Sequence, residues 1–310
     1  MSDVITLLIS LFKLALMISI GVFIGTIFER INLQNRLAFI LKPLSKFTGL
    51  SSLGCTAFVT AFASPRAANT ILASSCDEGL ISKREMILSA LANSTAAVFV
   101  HLRVSSFVLL PLLGKVGLAY IGVQIIGAFI TTILALLILN KNSSVCDINK
   151  DIKLTPTNKK HKTLWQVFFK RNKTILLRVL IITVPLYSII YFLNINGYLA
   201  LTTSILPDNL KSILRPESMV IIGVHFSGIM PAVSAASLAL RDGVLSQTQV
   251  FITLLVGYIF TTPVRAIRHT LPSALGIFPG KTGLYIVTIS QIIKIIVAII
   301  AILITLKVAV

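Results

Sequence analysis

Acidic residues are scarce in this chain. Only 10 of its 310 residues are Asp or Glu, against 28 Lys or Arg, which leaves a formal charge of +18. All ten acids (Asp3, Glu29, Asp77, Glu78, Glu85, Asp147, Asp151, Asp208, Glu217 and Asp242) fall in loops or at the ends of apolar runs. That placement leaves no carboxylate to carry protons or hold hard metal ions inside those runs. Cysteine is also sparse: Cys55, Cys76 and Cys146 are odd in number and lack C-x-x-C spacing, which excludes a disulfide framework or a zinc site as the organising element. The sequence has no H-E-x-x-H, no G-x-S-x-G and no Walker motif, so neither a familiar enzyme nor an ATP-driven pump is indicated. No catalytic residue, resident cofactor or metal is expected.

What the chain does have is apolar length. Hydrophobic residues make up 55% of it and charged residues only 12%. Several runs approach the ~20 residues that cross a bilayer as helix, and they are too continuous for the alternating ~10-residue strands of a barrel. An all-α polytopic membrane protein is the expectation. The excess of Lys and Arg reads as loop charge orienting the chain in a cell membrane rather than as a nucleic-acid surface. The N-terminal run lacks a basic leader and a small-residue cleavage site, so it reads as a retained first span over 4–27.

Residues 29–47 mix Arg30, Arg36, Lys42 and Lys46 with apolar residues, the composition of a helix lying in the membrane interface. Residues 53–80 are long enough to enter the bilayer but break at Ser64-Pro65-Arg66, which suggests a re-entrant hairpin. Spans follow at 82–113 and 117–140. Residues 141–173 carry nine Lys or Arg and read as a cytoplasmic linker. The order then returns: a span at 174–193, an interfacial stretch at 206–218, a segment at 219–240 broken around Ser227, Gly228 and Pro231, and spans at 246–278 and 284–306.

Sequence matches support this recurrence. DEGLISKREM (77–86) aligns with RDGVLSQTQV (241–250), and FAS (62–64) with FSG (226–228), at one offset of 164. GKVGL (114–118) aligns with GKTGL (280–284) at 166. Three crossings plus one hairpin per copy would invert the second copy relative to the first. The expected organisation is a first membrane repeat over 1–140, the linker over 141–173, and a second, inverted repeat over 174–310. With the linker inside, both termini lie outside, and Lys83, Arg84 and Lys281 join the cytoplasmic positive charge.

The stretch ASPRAANTILASSCDEGLISKREMILSALANS and its counterpart at 226–260 resemble the nucleoside-recognition, or Gate, family. That superfamily includes concentrative nucleoside transporters, ferrous-iron permease cores and spore maturation membrane proteins. The resemblance implies a nucleoside-transporter-like core, in which two hairpin tips face two interrupted helices and the assembly moves as an elevator. By position the tips are Ser64-Pro65-Arg66 and Ser227–Pro231. The interruptions fall near Asn93-Ser94-Thr95 and Thr261-Thr262-Pro263. Related transporters are often oligomeric, so a homo-oligomer is also implied.

The sequence departs from that family where the acidic site residues belong. The apolar runs instead hold Arg66, His101, Arg103, His225, Arg265, Arg268 and His269. Such groups are costly in a bilayer and usually face the bundle interior or a wet cavity. Arg265, Arg268 and His269 stand at i, i+3 and i+4, one face of an α-helix, and His101 aligns with Arg265 at the 164 offset. Cations without carboxylates call for a bound anion, and the helix starts after Pro65 and Pro231 would add backbone N–H donors. The expected substrate-binding residues are therefore Arg66, His101, Arg103, Arg265, Arg268 and His269. His225 reads as structural.

The function expected is secondary transport of a small anionic solute, with Na+ as the available coupling ion. A flippase for a phosphate-bearing lipid, a nucleoside transporter and a non-transporting membrane assembly protein are the alternatives. Snorkelling of the arginines to an interface would remove the need for an anion.

Overall fold

The structure is a computed structural model that describes residues 50–62, 64–140 and 214–309, with scattered positions at 16–23 and 163–177. Everything regular among the described residues is helical. Four helices among the described residues are long and apolar enough to cross a membrane: Lys83–Leu102, Lys115–Leu139, Gln247–Arg265 and Thr282–Val308. The expected interfacial helix at 29–47, and most of the expected spans at 4–27 and 174–193 and of the linker at 141–173, lie outside the described residues. Trp165 and Phe169 are helical and stack on one another, and Trp165 also stacks on Phe23 at 5.7 Å.

The first half contains α1 (Ser52–Ala61), α2 (Pro65–Asp77), α3 (Lys83–Ala92), α4 (Ser94–Leu113) and α5 (Lys115–Asn140). Local chemistry sets these boundaries. The side chains of Ser51, Ser64 and Ser82 accept backbone N–H bonds at the starts of α1, α2 and α3, and Pro65 occupies the first turn of α2, where no N–H is needed. The second half contains α6 (Pro216–His225), α7 (Ile229–Arg241) and α8 (Gln247–Arg265). A π segment (Ala266–Thr270), α9 (Leu271–Ile277) and α10 (Thr282–Ala309) complete it. Residues 216–218, expected in an interfacial stretch, instead open α6.

Three pairs of helices start 164 residues apart (52 and 216, 65 and 229, 83 and 247), and the first two pairs also end at that spacing (61 and 225, 77 and 241), whereas α3 stops at Ala92 and α8 runs on to Arg265. The turns between them match as well. The N–H groups of Leu80 and Ile81 donate to the Ser75 carbonyl, and those of Val244 and Leu245 donate to that of Ala239. Gly79 and Gly243 hold these turns at φ 73° and 70°, a conformation open to glycine at little cost.

Among the described residues the packing has two large cores, with a small third cluster of Leu214, Ile222 and Ile252. One gathers α1, α2 and α3 with Ala135 and Leu139 of α5 and Ile286 and Val287 of α10. The other gathers α7 and α8 with Val116 and Tyr120 of α5 and Ala298 of α10. The helices α5 and α10 pack together and touch these cores in opposite order, so they run antiparallel. From Val116 to Ala135 the rise is roughly 28 Å, close to the thickness of a bilayer's hydrocarbon. Across the halves the contacts are reciprocal: α7 lies on α4, and α2 lies on α9.

Two expectations about breaks change. The interruption at Asn93 stands between α3 and α4. Thr261, Thr262 and Pro263, however, lie within continuous α8, and the irregularity is the π segment beyond them. Pro263 has no N–H to return to the preceding turn and its ring crowds that turn. The helix accommodates this downstream, through a wider turn closed by the Leu271 N–H on the Ala266 carbonyl. Likewise α7 starts at Ile229, so Pro231 is its third residue rather than the residue before it.

Candidate functional site

Four helices bring a chemically distinct residue to one depth. His101 and Arg265 each stand twelve residues before the end of their helical run (101 to 113, 265 to 277). Gly127 and Lys294 each stand twelve residues after the start of theirs (115 to 127, 282 to 294). Twelve residues rise about 18 Å, near the middle of a ~30 Å hydrocarbon core. The helices that carry them pack in sequence, α4 on α5, α5 on α10 and α10 on α8. Arg265 acts electrostatically on His101 and Lys294, and Lys294 acts on His101.

Lys294 reaches this layer because of what faces it. A Cβ added at Gly127 would sit 3.7 Å from both Cα and Cγ of Lys294, so the start of the lysine side chain lies along the α5 backbone. Lys294 is half-buried. The guanidinium carbon of Arg265 lies 5.7 Å from the centroid of the buried Tyr258 ring, within cation–π range. His101 and Arg265 are exposed on the described surface. Among the described residues, neither Arg265 nor Lys294 has a carboxylate partner, and no cluster of His, Cys, Asp or Glu has metal-binding geometry.

Beneath this layer a polar chain leads to the break between α6 and α7. Tyr258 packs edge-on against Tyr120 at 6.2 Å, and the Tyr120 hydroxyl lies 3.4 Å from Nε2 of His225. The other ring nitrogen of His225 lies 2.9 Å from the Thr261 hydroxyl, which donates to the Gly257 carbonyl at 2.8 Å. Because the single proton of Thr261 is committed there, Nδ1 of His225 donates to Thr261 and Nε2 accepts from Tyr120. Gly257 permits the ring's approach, since a Cβ there would lie 2.9 Å from Cδ2. His225 is buried and satisfied, as its structural reading expects.

A second polar knot closes the break in the first half. Asn93 separates α3 from α4, which frees backbone groups that a bilayer cannot satisfy. The Thr132 hydroxyl of α5 donates to the Ala92 carbonyl at 2.8 Å and receives the Thr95 N–H at 3.3 Å. It also shares a 2.8 Å bond with the Thr95 hydroxyl. Asn93 donates to Asn69 of α2 at 3.4 Å, which ties the break to that helix. Ser94 is buried beside it.

The remaining sequence-predicted residues separate from the layer or fall outside what is described. Ser64 and Pro65 cap and open α2, and Arg66 is exposed on its first turn. Ser227 donates to the Val224 carbonyl and Gly228 precedes α7. His269 is exposed within the π segment. Arg103 and Arg268 are placed by backbone alone, in α4 and the π segment. Arg268 and His269 lie in the π segment while Arg265 ends α8, so the three do not share the one continuous α-helix expected. Sequence reading missed Lys294, although its signal was plain: it is the one charged residue between Lys281 and Lys307.

Three proteins of Methanocaldococcus jannaschii, each an uncharacterized protein, are similar to this chain. One is 29% identical over 296 residues, covering 94% of this chain and 93% of the relative. A second is 25% identical over 284 residues, covering 90% and 87%. A third is 23% identical over 300 residues, covering 94% and 96%. No family model matches the chain. No solved structure matches it either.

Proposed function

We propose that this chain is a secondary, elevator-type membrane transporter of a small anionic solute, built from two inverted repeats. One observation carries the reading: Arg265 acts electrostatically on Lys294 and His101 at one helical depth, with no carboxylate to balance the cations among the described residues. Cations at such depth are costly unless paired, and a passing anion supplies the missing charge.

The architecture supports transport over a static role. The helices α1 and α2 have 10 and 13 residues, and α6 and α7 have the same lengths. At roughly 15 to 20 Å each they are too short to cross, so each pair reads as a hairpin that enters and leaves one side. The two hairpins sit in cores at opposite ends of α5 and α10, the arrangement that inversion requires. Corresponding broken segments beside a central site are the pattern of secondary transporters. The His225 chain links the second hairpin to the ring under Arg265, so hairpin movement would be felt at the layer.

Flux into proteoliposomes tests the proposal. Phosphate, sulfate and carboxylates would be followed with and without a sodium gradient, in wild type and in Arg265→Gln. Anion uptake that falls at least about tenfold in a folded variant supports it, a loss equal to one paired interaction. Uptake unchanged by Arg265→Gln sinks the charge-contact role. A second reading, lipid headgroup movement, is favoured by the exposure of Arg265 and His101. Headgroup transfer between leaflets without soluble-anion uptake would select it.

A further inference from the structure

We propose that the mid-depth site selects dianions over monoanions, because Arg265 and Lys294 present two positive charges at one helical depth from α8 and α10, which pack against each other. The inference rests on the anion reading and names the charge class of that site's ligand.

The argument is one of charge balance at low dielectric. Arginine keeps its charge at any working pH, and Lys294 adds an ammonium at the same helical depth. His101, in its neutral form, offers one donor and one acceptor and needs no counterion. From the packed elements, Arg265 acts on both Lys294 and His101, and Lys294 acts on His101. A monoanion would leave one cation uncompensated where compensation matters most, and a dianion leaves none.

Side-chain placement favours a compact ligand with two charged oxygens. The Arg265 guanidinium lies over the Tyr258 ring, and its planar set of N–H donors suits forked bonds to a phosphoryl, sulfuryl or carboxylate group. The start of the Lys294 side chain packs along the α5 backbone at Gly127, which fixes where the second charge leaves α10.

The experiment compares ligand pairs that differ by one methyl ester and the negative charge it removes. Equilibrium binding to the purified full-length protein would use sulfate against methyl sulfate, and methyl phosphate against dimethyl phosphate. Short-chain phosphatidic acid against phosphatidylmethanol supplies the lipid pair. Three variants accompany wild type: Lys294→Gln, Lys294→Arg and Arg265→Gln. The expected result is a dianion preference of at least about tenfold in wild type. It should be kept in Lys294→Arg and shrink to roughly threefold or less in Lys294→Gln.

Equal binding of both charge classes in wild type, or a preference untouched by Lys294→Gln, overturns the dianion inference and leaves the anion site standing. Failure of every anion to bind overturns both. Preference shown by the lipid pair alone assigns the dianion to a headgroup, and by the soluble pairs alone to a free solute. The Lys294→Arg variant keeps the test valid if Lys294→Gln folds poorly, because a loss of preference there, with charge retained, also overturns the inference.

Discussion

Thr132 shows how much one hydroxyl carries when water is absent. It donates to the carbonyl that the break at Asn93 frees and accepts the Thr95 N–H, so two backbone groups depend on it. Replacement by valine keeps the shape and deletes the bonds. Each buried group left unpaired costs about 1–3 kcal/mol. Thr132→Val should therefore lower the melting temperature of the purified protein clearly, while Thr132→Ser restores most of it. Equal melting of the valine variant and wild type would mean that water or another group satisfies the break. The same logic explains Gly257, which is small because the His225 ring occupies the space its side chain would take.

At the scale of elements, equivalent helices in the two halves are stabilised by equivalent caps of different completeness. Ser82 accepts the Glu85 N–H at the start of α3, and Ser246 accepts the Gln249 N–H at the start of α8. In α8 the Gln249 side chain also returns a bond to the Ser246 N–H at 3.0 Å, which closes a capping box. Removing a serine cap costs ~1 kcal/mol. Ser246→Ala should lower thermal stability more than Ser82→Ala, because it also breaks the reciprocal box, and the reverse order would refute that ranking. These caps are part of why the elements were legible in sequence. The spans expected at 82–113, 117–140, 246–278 and 284–306 reappear within a few residues, since long apolar runs ended by Ser, Gly and charge leave little choice. The π segment was not legible. Proline at 263 marks trouble but not where the helix will relieve it, and that depends on tertiary packing around Thr261 and His225. The cation layer was half legible. His101 and Arg265 emerged from the 164-residue offset, whereas Lys294 needed the antiparallel pairing of α5 and α10 to acquire a meaning.

At the scale of the whole molecule, the decisive question is which side of the membrane each hairpin faces. The turn after α2 and the turn after α7 are chemically alike, each with an acidic residue and a glycine, so composition does not separate them. Packing does. The core around α1 and α2 takes the end of α5 and the start of α10, and the core around α7 takes the start of α5 and the end of α10. If α5 and α10 cross the bilayer, the two turns must open on opposite faces. Asp77 and Arg241 are both exposed, at the C-terminal ends of α2 and α7. A chain with its three native cysteines replaced, carrying either Asp77→Cys or Arg241→Cys, should react with a membrane-impermeant thiol reagent from one side only. The side should differ between the two. Labelling of both from the same side would reject inversion and, with it, the central depth assigned to Arg265 and Lys294, because the equal twelve-residue distances then would be measured from one membrane face instead of two.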